Sequence, residues 1–239
     1  MKINKTAVFT EGQTELIFVR EFILKIFEYQ NIALKCFNLR YNDQLSETEH
    51  QFGPENACNF FQIVNVGNDN KVLTEILKRK EHLMNAGFNS IVGLRDMYSK
   101  EYRETVKDHT IQPEINQRFI DGVKQQIKNS CVKFHFAIME TEAWILGVSN
   151  IFQKIDIQLT PDFIKNQLDF DIETTDPETT FFHPAKTLSE IFECAGLSPY
   201  SKSKQEINQI MGHIEKDDFI QLRDAHKCNS FKTFYESVI

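Results

Sequence analysis

The chain has 239 residues, 41% of them apolar, enough for a full core; at roughly 100–200 residues per domain this means one large domain, or one with an appendage. A formal net charge of −7 argues against holding nucleic acid by bulk electrostatics, although carboxylates that bind divalent cations count as negative in that tally and present positive charge once loaded. No apolar run is long enough to span a bilayer, Met1 to Lys5 lead straight into a strand, and the cysteines (Cys36, Cys58, Cys131, Cys194, Cys228) are scattered with no Cys-x-x-Cys spacing; these features predict a soluble cytoplasmic protein without a disulfide framework or a structural zinc site.

Lys5–Thr10 reads as the first strand, followed by Glu11, Gly12 and a helix to about Tyr29 whose Leu16, Val19, Ile23 and Ile26 recur at helical spacing. Ile32–Leu39 is a second strand. Tyr41 to Asn59 is polar and irregular, either a mobile loop or an insertion. Phe60–Val66 is a third strand, and Val72 to Ala86 is a helix that ends at Gly87. Asn89–Arg95 is a fourth strand, closed by Asp96. A charged loop from Met97 to His109 leads to a helix from about Gln112 to Asn129. Val132–Met139 is a fifth strand, with Glu140 and Glu142 at its end and the apolar helix Ala143–Val148 after it. Alternating strands and helices imply right-handed crossovers and a mostly parallel, Rossmann-like sheet flanked by helices over residues 1–150.

From Ser149 the character changes. Asp156 to Glu178 is rich in acidic residues, with one short helix starting at Thr160-Pro161. Ala185–Ala195, Lys204–Ile214, Lys216–Ala225 and Ser230–Val238 have helical periodicity and no strand pattern. Residues 151–239 are therefore expected to form a helical appendage packed on the sheet domain.

Three strands each finish on an acidic residue. Parallel strands put those ends on one edge, where ligands bind in open α/β sheets, so Glu11, Asp96, Glu140 and Glu142 are candidates to converge. Gathered carboxylates repel one another unless a cation neutralises them, and oxygen ligands favour a hard ion, Mg²⁺ or Mn²⁺, over zinc. A metal held by few protein carboxylates keeps positions for water and a substrate phosphate, the arrangement that breaks phosphodiester bonds. The competing reading is local: acidic residues suit helix N-termini, which would account for Glu11, Glu15, Asp96, Glu140 and Glu142 one at a time.

Glu11-Gly12-x-Thr14-Glu15 after the first strand, Asp96-x-Tyr98 after a later strand and Glu140-x-Glu142-Ala143-Trp144 at a third strand end together resemble the TOPRIM fold, in particular the small TOPRIM-like proteins related to OLD-type nucleases of bacterial anti-phage and mobile-element systems. The resemblance covers about the first 150 residues and extends weakly through Pro184-Ala185-Lys186 and Tyr200-Ser201-Lys202. It implies that Glu11 does acid–base or metal-binding work, that Asp96 ligates Mg²⁺, and that the third acidic position is Glu140 or Glu142. It also implies association with itself or with an ATPase partner chain. Many TOPRIM enzymes have Asp-x-Asp where this chain has Asp96-Met97-Tyr98, so one carboxylate is missing there.

The C-terminal region adds lysines. Lys186 or Lys202 is the candidate to neutralise charge on a scissile phosphate, against the alternative of a solvated surface charge. Trp144 is expected to be core, His135 a hydrogen-bonded strand residue, and Lys78-Arg79-Lys80 a helix-end run. No phosphate-cradling glycine loop is present. Two functions follow as expectations: a Mg²⁺-dependent nuclease acting on DNA or RNA in anti-phage defence, or a catalytically weak partner-binding or regulatory module of a defence system.

Overall fold

The computed structural model describes residues 3–54, 56–128 and 130–239. Met1 and Lys2, read above as the lead into the first strand, and Asn129, the expected end of a helix, lie outside the described residues. The fold is α/β, with a six-stranded sheet of order β3-β2-β4-β1-β5-β6 flanked by helices. Its strands are β1 (Asn4–Thr10), β2 (Ile32–Leu39), β3 (Leu45–Glu47), β4 (Asn59–Asn65), β5 (Ser90–Asp96) and β6 (Val132–Ala137). Among the described residues no helix is long and apolar enough to cross a membrane.

The chain divides into two units that are not continuous in sequence. The first comprises Met1–Arg95, Glu114–Phe136 and Glu236–Ile239, and the second Asp96–Pro113 and Ala137–Tyr235.

In the first unit, β1 pairs in parallel with β4 on one side and β5 on the other. Thr6 to Thr10 are all buried, as expected of a strand covered on both faces. The pleat turns Ala7 and Phe9 toward one layer, where they pack with Val64, Ile91 and with Val72, Ile76 and Leu83 of α2 (Lys71–Asn85). The opposite layer is α1 (Gln13–Ile26), which buries Leu16, Val19, Phe22 and Ile23, and whose C-cap Phe27 meets Phe61 of β4 edge-on at 5.6 Å. The connection after β1 runs to β2 on one side and that after β5 runs to β6 on the other. At Gly93 of β5 a Cβ atom would come within 2.5 Å of the Phe134 ring and 2.7 Å of Ile76 Cδ1, so glycine permits the close approach of α2 and β6.

The irregular stretch expected over Tyr41 to Asn59 contains β3, which pairs antiparallel with Phe37–Leu39, and a bridge from Phe52 to Leu34. Leu45-Ser46-Glu47 is too short and too polar to show a strand pattern; the edge of β2 supplies the order. The basic run Lys78-Arg79-Lys80 lies in the middle of α2 rather than at a helix end, with Lys78 paired to Asp43 and Arg79 to Glu75 at 2.9 Å.

The second unit is helical apart from the strand ends Asp96 and Ala137. At its centre α5 (Glu142–Gly147) is buried along its whole length. Trp144 is packed between Phe231 and Phe234 of α12 (Asn229–Val238), each with its ring centre 5.4 Å away, which is the core role expected of it. Its indole N–H donates to Glu178 Oε1 at 3.0 Å and to Ser230 Oγ at 2.8 Å. The charged loop after β5 holds a short helix, α3 (Lys100–Thr105), capped by the Ser99 hydroxyl on the Tyr102 N–H. Only Tyr102 of that helix is buried, so its sequence has no apolar stripe to read.

Candidate metal centre

The site is built where β5 and β6 run past their last sheet residues. Beyond β5 the Met97 N–H donates to the Ala137 carbonyl at 2.9 Å and the Tyr98 N–H to the Met139 carbonyl at 2.8 Å, so the two chain extensions stay locked side by side. Met139 then adopts the left-handed backbone conformation, φ +65, which is uncommon for a non-glycine residue and turns the chain sharply. That turn shortens β6 relative to the expected Val132–Met139 and delivers Glu140 and Glu142 back against Asp96.

Asp96, Glu140 and Glu142 each offer a carboxylate oxygen within 4.8 Å of the other two. All three are buried, Glu142 completely. An ionised carboxylate in such a place needs partners, and each has one. The Thr141 backbone N–H donates to Asp96 Oδ1 at 3.0 Å. The Ala185 N–H donates to Glu140 Oε2 at 3.1 Å from the first turn of α9 (Pro184–Cys194), so the positive end of that helix faces a carboxylate. The Tyr200 hydroxyl donates to Glu142 Oε1 at 3.0 Å.

Lys202 supplies the cation. Its Nζ lies 2.6 Å from Glu140 Oε1 and 3.3 Å from Glu142 Oε1. Burial by itself lowers the pKa of this ammonium, but Glu142, Glu140 and Asp96 outweigh burial and raise it above the usual lysine value. Lys202 also holds a left-handed backbone conformation, φ +58. The loop before it is tied to α9 by the Ser189 hydroxyl, which donates to the Tyr200 carbonyl at 3.0 Å. With the three carboxylates ionised, the group carries more negative charge than the Lys202 ammonium by itself offsets. An oxygen-only cluster of that charge could bind a metal ion, and its donor set suits a hard divalent cation.

The other expected site residues are placed as follows. Glu11 follows the last residue of β1 in the first unit. Glu15, in the first turn of α1, is buried, and its Oε2 would lie 2.8 Å from a Cβ at position 12, so Gly12 leaves room for that carboxylate. Lys186 is exposed on α9 and pairs with Glu190 at 3.3 Å. Tyr98 meets Phe182 and His183 edge-on, at 5.6 and 5.1 Å, with the Arg103 guanidinium 5.2 Å over its ring. Of the two lysines singled out, Lys202 is thus the one that reaches the carboxylates.

Sequence reasoning assigned no role to the Ala185 and Thr141 amides or to the Tyr200 hydroxyl. Pro184 was the available signal for the first of these, because proline at a first helical position marks a helix start whose following N–H groups are unpaired. His183, which caps α9, lies 3.0 Å from His109 through their ring nitrogens; burial first, and His109 second, hold its pKa below the usual histidine value.

Comparison with protein-family models, with curated proteins and with solved structures gives no match for this chain.

Proposed function

We propose that the protein is a divalent-metal-dependent nuclease that hydrolyses phosphodiester bonds of DNA or RNA, of the TOPRIM-like kind its strand-end acidic motifs resemble, acting in the cytoplasm in anti-phage defence. The observation that carries the reading is the meeting of Asp96, Glu140 and Glu142, contributed by two strand ends and a helix start, with Lys202 beside them. Three buried carboxylates on one spot are costly to fold. A scaffold that gathers them at strand ends, with a turn in left-handed conformation at Met139, uses them.

In this reading Asp96, Glu140 and Glu142 hold Mg²⁺ or Mn²⁺, which when bound supplies an activated water and neutralises charge on a phosphate oxygen. The chain's own residues do the remaining work. Tyr200 and the Ala185 amide fix the directions of the Glu142 and Glu140 carboxylates. Lys202, beside Glu140 and Glu142, would offer its ammonium to a non-bridging oxygen of the scissile phosphate. Glu140, beyond the end of β6, and Glu142, at the start of α5, would take the place of the second aspartate where this chain has Tyr98. A nucleic-acid substrate, a second copy of the chain and an ATPase partner chain belong to the same proposal.

A second reading is favoured by one distance. Lys202 at 2.6 Å from Glu140 already neutralises part of the group, as expected of a catalytically weak partner-binding or regulatory module whose carboxylates serve structure. Plasmid nicking and cleavage of structured RNA in Mg²⁺ or Mn²⁺ separate the two. The nuclease reading expects cleavage that falls at least ~100-fold in Asp96→Asn and Glu140→Gln, with Trp144 fluorescence reporting an intact second unit. Glu11→Gln in the same assay tests the carboxylate after β1. Wild-type protein that neither cleaves nor gains thermal stability with Mn²⁺ leaves only the second reading.

A further inference from the structure

The first unit carries a feature that the acidic group does not use. A pocket of about 430 Å³ lies between the end of α4 (Pro113–Lys124), the start of β6 and the tail of α12, within the range of roughly 300–1,000 Å³ typical of small-molecule sites. Three lysines line it, Lys124, Lys128 and Lys133, together with His135 and the hydroxyls of Ser130 and Ser237. Ile127 and Phe134 form its apolar wall. Its described lining holds no acidic side chain, in a chain where 34 acidic residues outnumber 27 basic ones.

That sign reversal is local and uncompensated. Lysines elsewhere are held in more than one way: Lys78, Lys154, Lys165 and Lys186 pair with Asp43, Asp218, Asp171 and Glu190, whereas Lys5 and Lys227 donate to backbone carbonyls. Among the described residues none of the three pocket lysines has an ion-pair partner. Burial first, and then the ammonium groups of Lys133 and Lys124, push the His135 imidazole down to about 4, so His135 is neutral at pH 7 and the positive charge of the lining is that of the three lysines. Cations that repel one another around a cavity, with two hydroxyl donors between them, are relieved by an anion with several oxygens.

We propose that this pocket binds the phosphate of a nucleotide unit, held by Lys124, Lys128 and Lys133 with Ser130 and Ser237. The same chemistry is offered by a free mononucleotide and by the end of a nucleic-acid strand. The site lies within the first unit and needs no metal, so it stands independently of the hydrolytic reading.

Binding is measured on the full chain in EDTA, by calorimetry with adenosine monophosphate and by anisotropy with a fluorescein-labelled single-stranded oligonucleotide. The expected result is saturable binding that weakens as salt rises and that is at least about tenfold weaker, a difference of ~1.4 kcal/mol, in Lys133→Glu and in Lys128→Glu. Thermal melts check that both variants fold. The His135 ring resonances, followed by NMR, titrate above about 4 in the bound state, because the anion favours the imidazolium. Binding of the mononucleotide assigns the site to free nucleotide, and binding of the oligonucleotide alone assigns it to a strand end. Asp96→Asn binds as wild type whether or not it cleaves, which keeps the two proposals apart. Absence of binding to both probes, or unchanged binding in the two glutamate variants, overturns the proposal.

Discussion

The Lys202 ammonium lies 2.6 Å from Glu140 Oε1, joining residues 62 positions apart in sequence. It sets a charge of opposite sign beside the carboxylates of Glu140 and Glu142, and three measurable consequences attach to it and to its surroundings.

Lys202→Met removes that charge and leaves the carboxylates to repel one another. Breaking a buried ion pair costs ~3–5 kcal/mol. The Lys202 side chain is 40% exposed, so solvent screening reduces the expected loss to about 1–2 kcal/mol. A metal-binding cluster makes up the loss by mass action, so the melting temperature of the variant should rise more steeply with Mn²⁺ than that of the wild type. The pH dependence has a definite sign. The folded-state pKa of Lys202 is raised, so its contribution is complete below the unfolded lysine value near ~10.4 and is lost as pH rises through the folded value. The stability gap between wild type and variant should be flat through neutral pH and close only at strongly alkaline pH.

Trp144 and Glu178 test how α5 is held. Glu178 Oε1 accepts from the Trp144 indole at 3.0 Å, and Glu178 Oε2 accepts from the Ser230 N–H at 3.1 Å. In Glu178→Gln one of these donors faces the amide NH₂ group and loses its acceptor, at an expected cost of ~1–3 kcal/mol in chemical denaturation. Trp144 is the sole tryptophan, so its emission reports the change directly.

Asp218 sets part of the acid limit of the second unit. Burial raises its pKa, but the hydrogen bonds from Lys154 at 2.6 Å, the Glu215 N–H at 2.7 Å and Asn150 at 2.7 Å outweigh burial and hold it below the usual aspartate value. A lowered folded-state pKa contributes stability above the unfolded value near ~3.9 and loses it as pH falls through the folded one. Asp218→Asn should be less stable at pH 7 by about 1–2 kcal/mol, and the difference should shrink in acid melts as the wild-type carboxylate protonates.

Gly93→Ala puts a methyl group 2.5 Å from the Phe134 ring. The ring is rigid and packed, so the expected loss is about 1–3 kcal/mol from overpacking. Calorimetric melting of the variant checks it.

Much of the sheet was legible because β1, β2, β4 and β5 are largely apolar runs, and helices separate β1 from β2, β4 from β5 and β5 from β6, the pattern that parallel pairing requires. The expectation that Glu11, Asp96, Glu140 and Glu142 converge came from acidic residues after parallel strands; Asp96, Glu140 and Glu142 do meet, although β6 ends at Ala137 and it is the turn at Met139 that brings the two glutamates back. Other parts were hidden for physical reasons. β3 owes its extended form to the edge of β2 and leaves no periodic trace. The Thr141 and Ala185 donors are backbone groups, which any residue type carries, so no side-chain motif encodes them. Lys186 and Lys202 look equivalent in sequence. Their difference arises from the αL backbone at Lys202 and the helical one at Lys186, which sends the latter to an exposed pair with Glu190.

The spread of the acidic group along the chain sets the order in which it can be completed during synthesis. Asp96, Glu140 and Glu142 leave the ribosome first, while the Ala185 amide, the Tyr200 hydroxyl and the Lys202 ammonium follow. A nascent chain therefore has these anions before it has the Lys202 ammonium, and any truncation upstream of residue 202 removes a charge that offsets part of theirs.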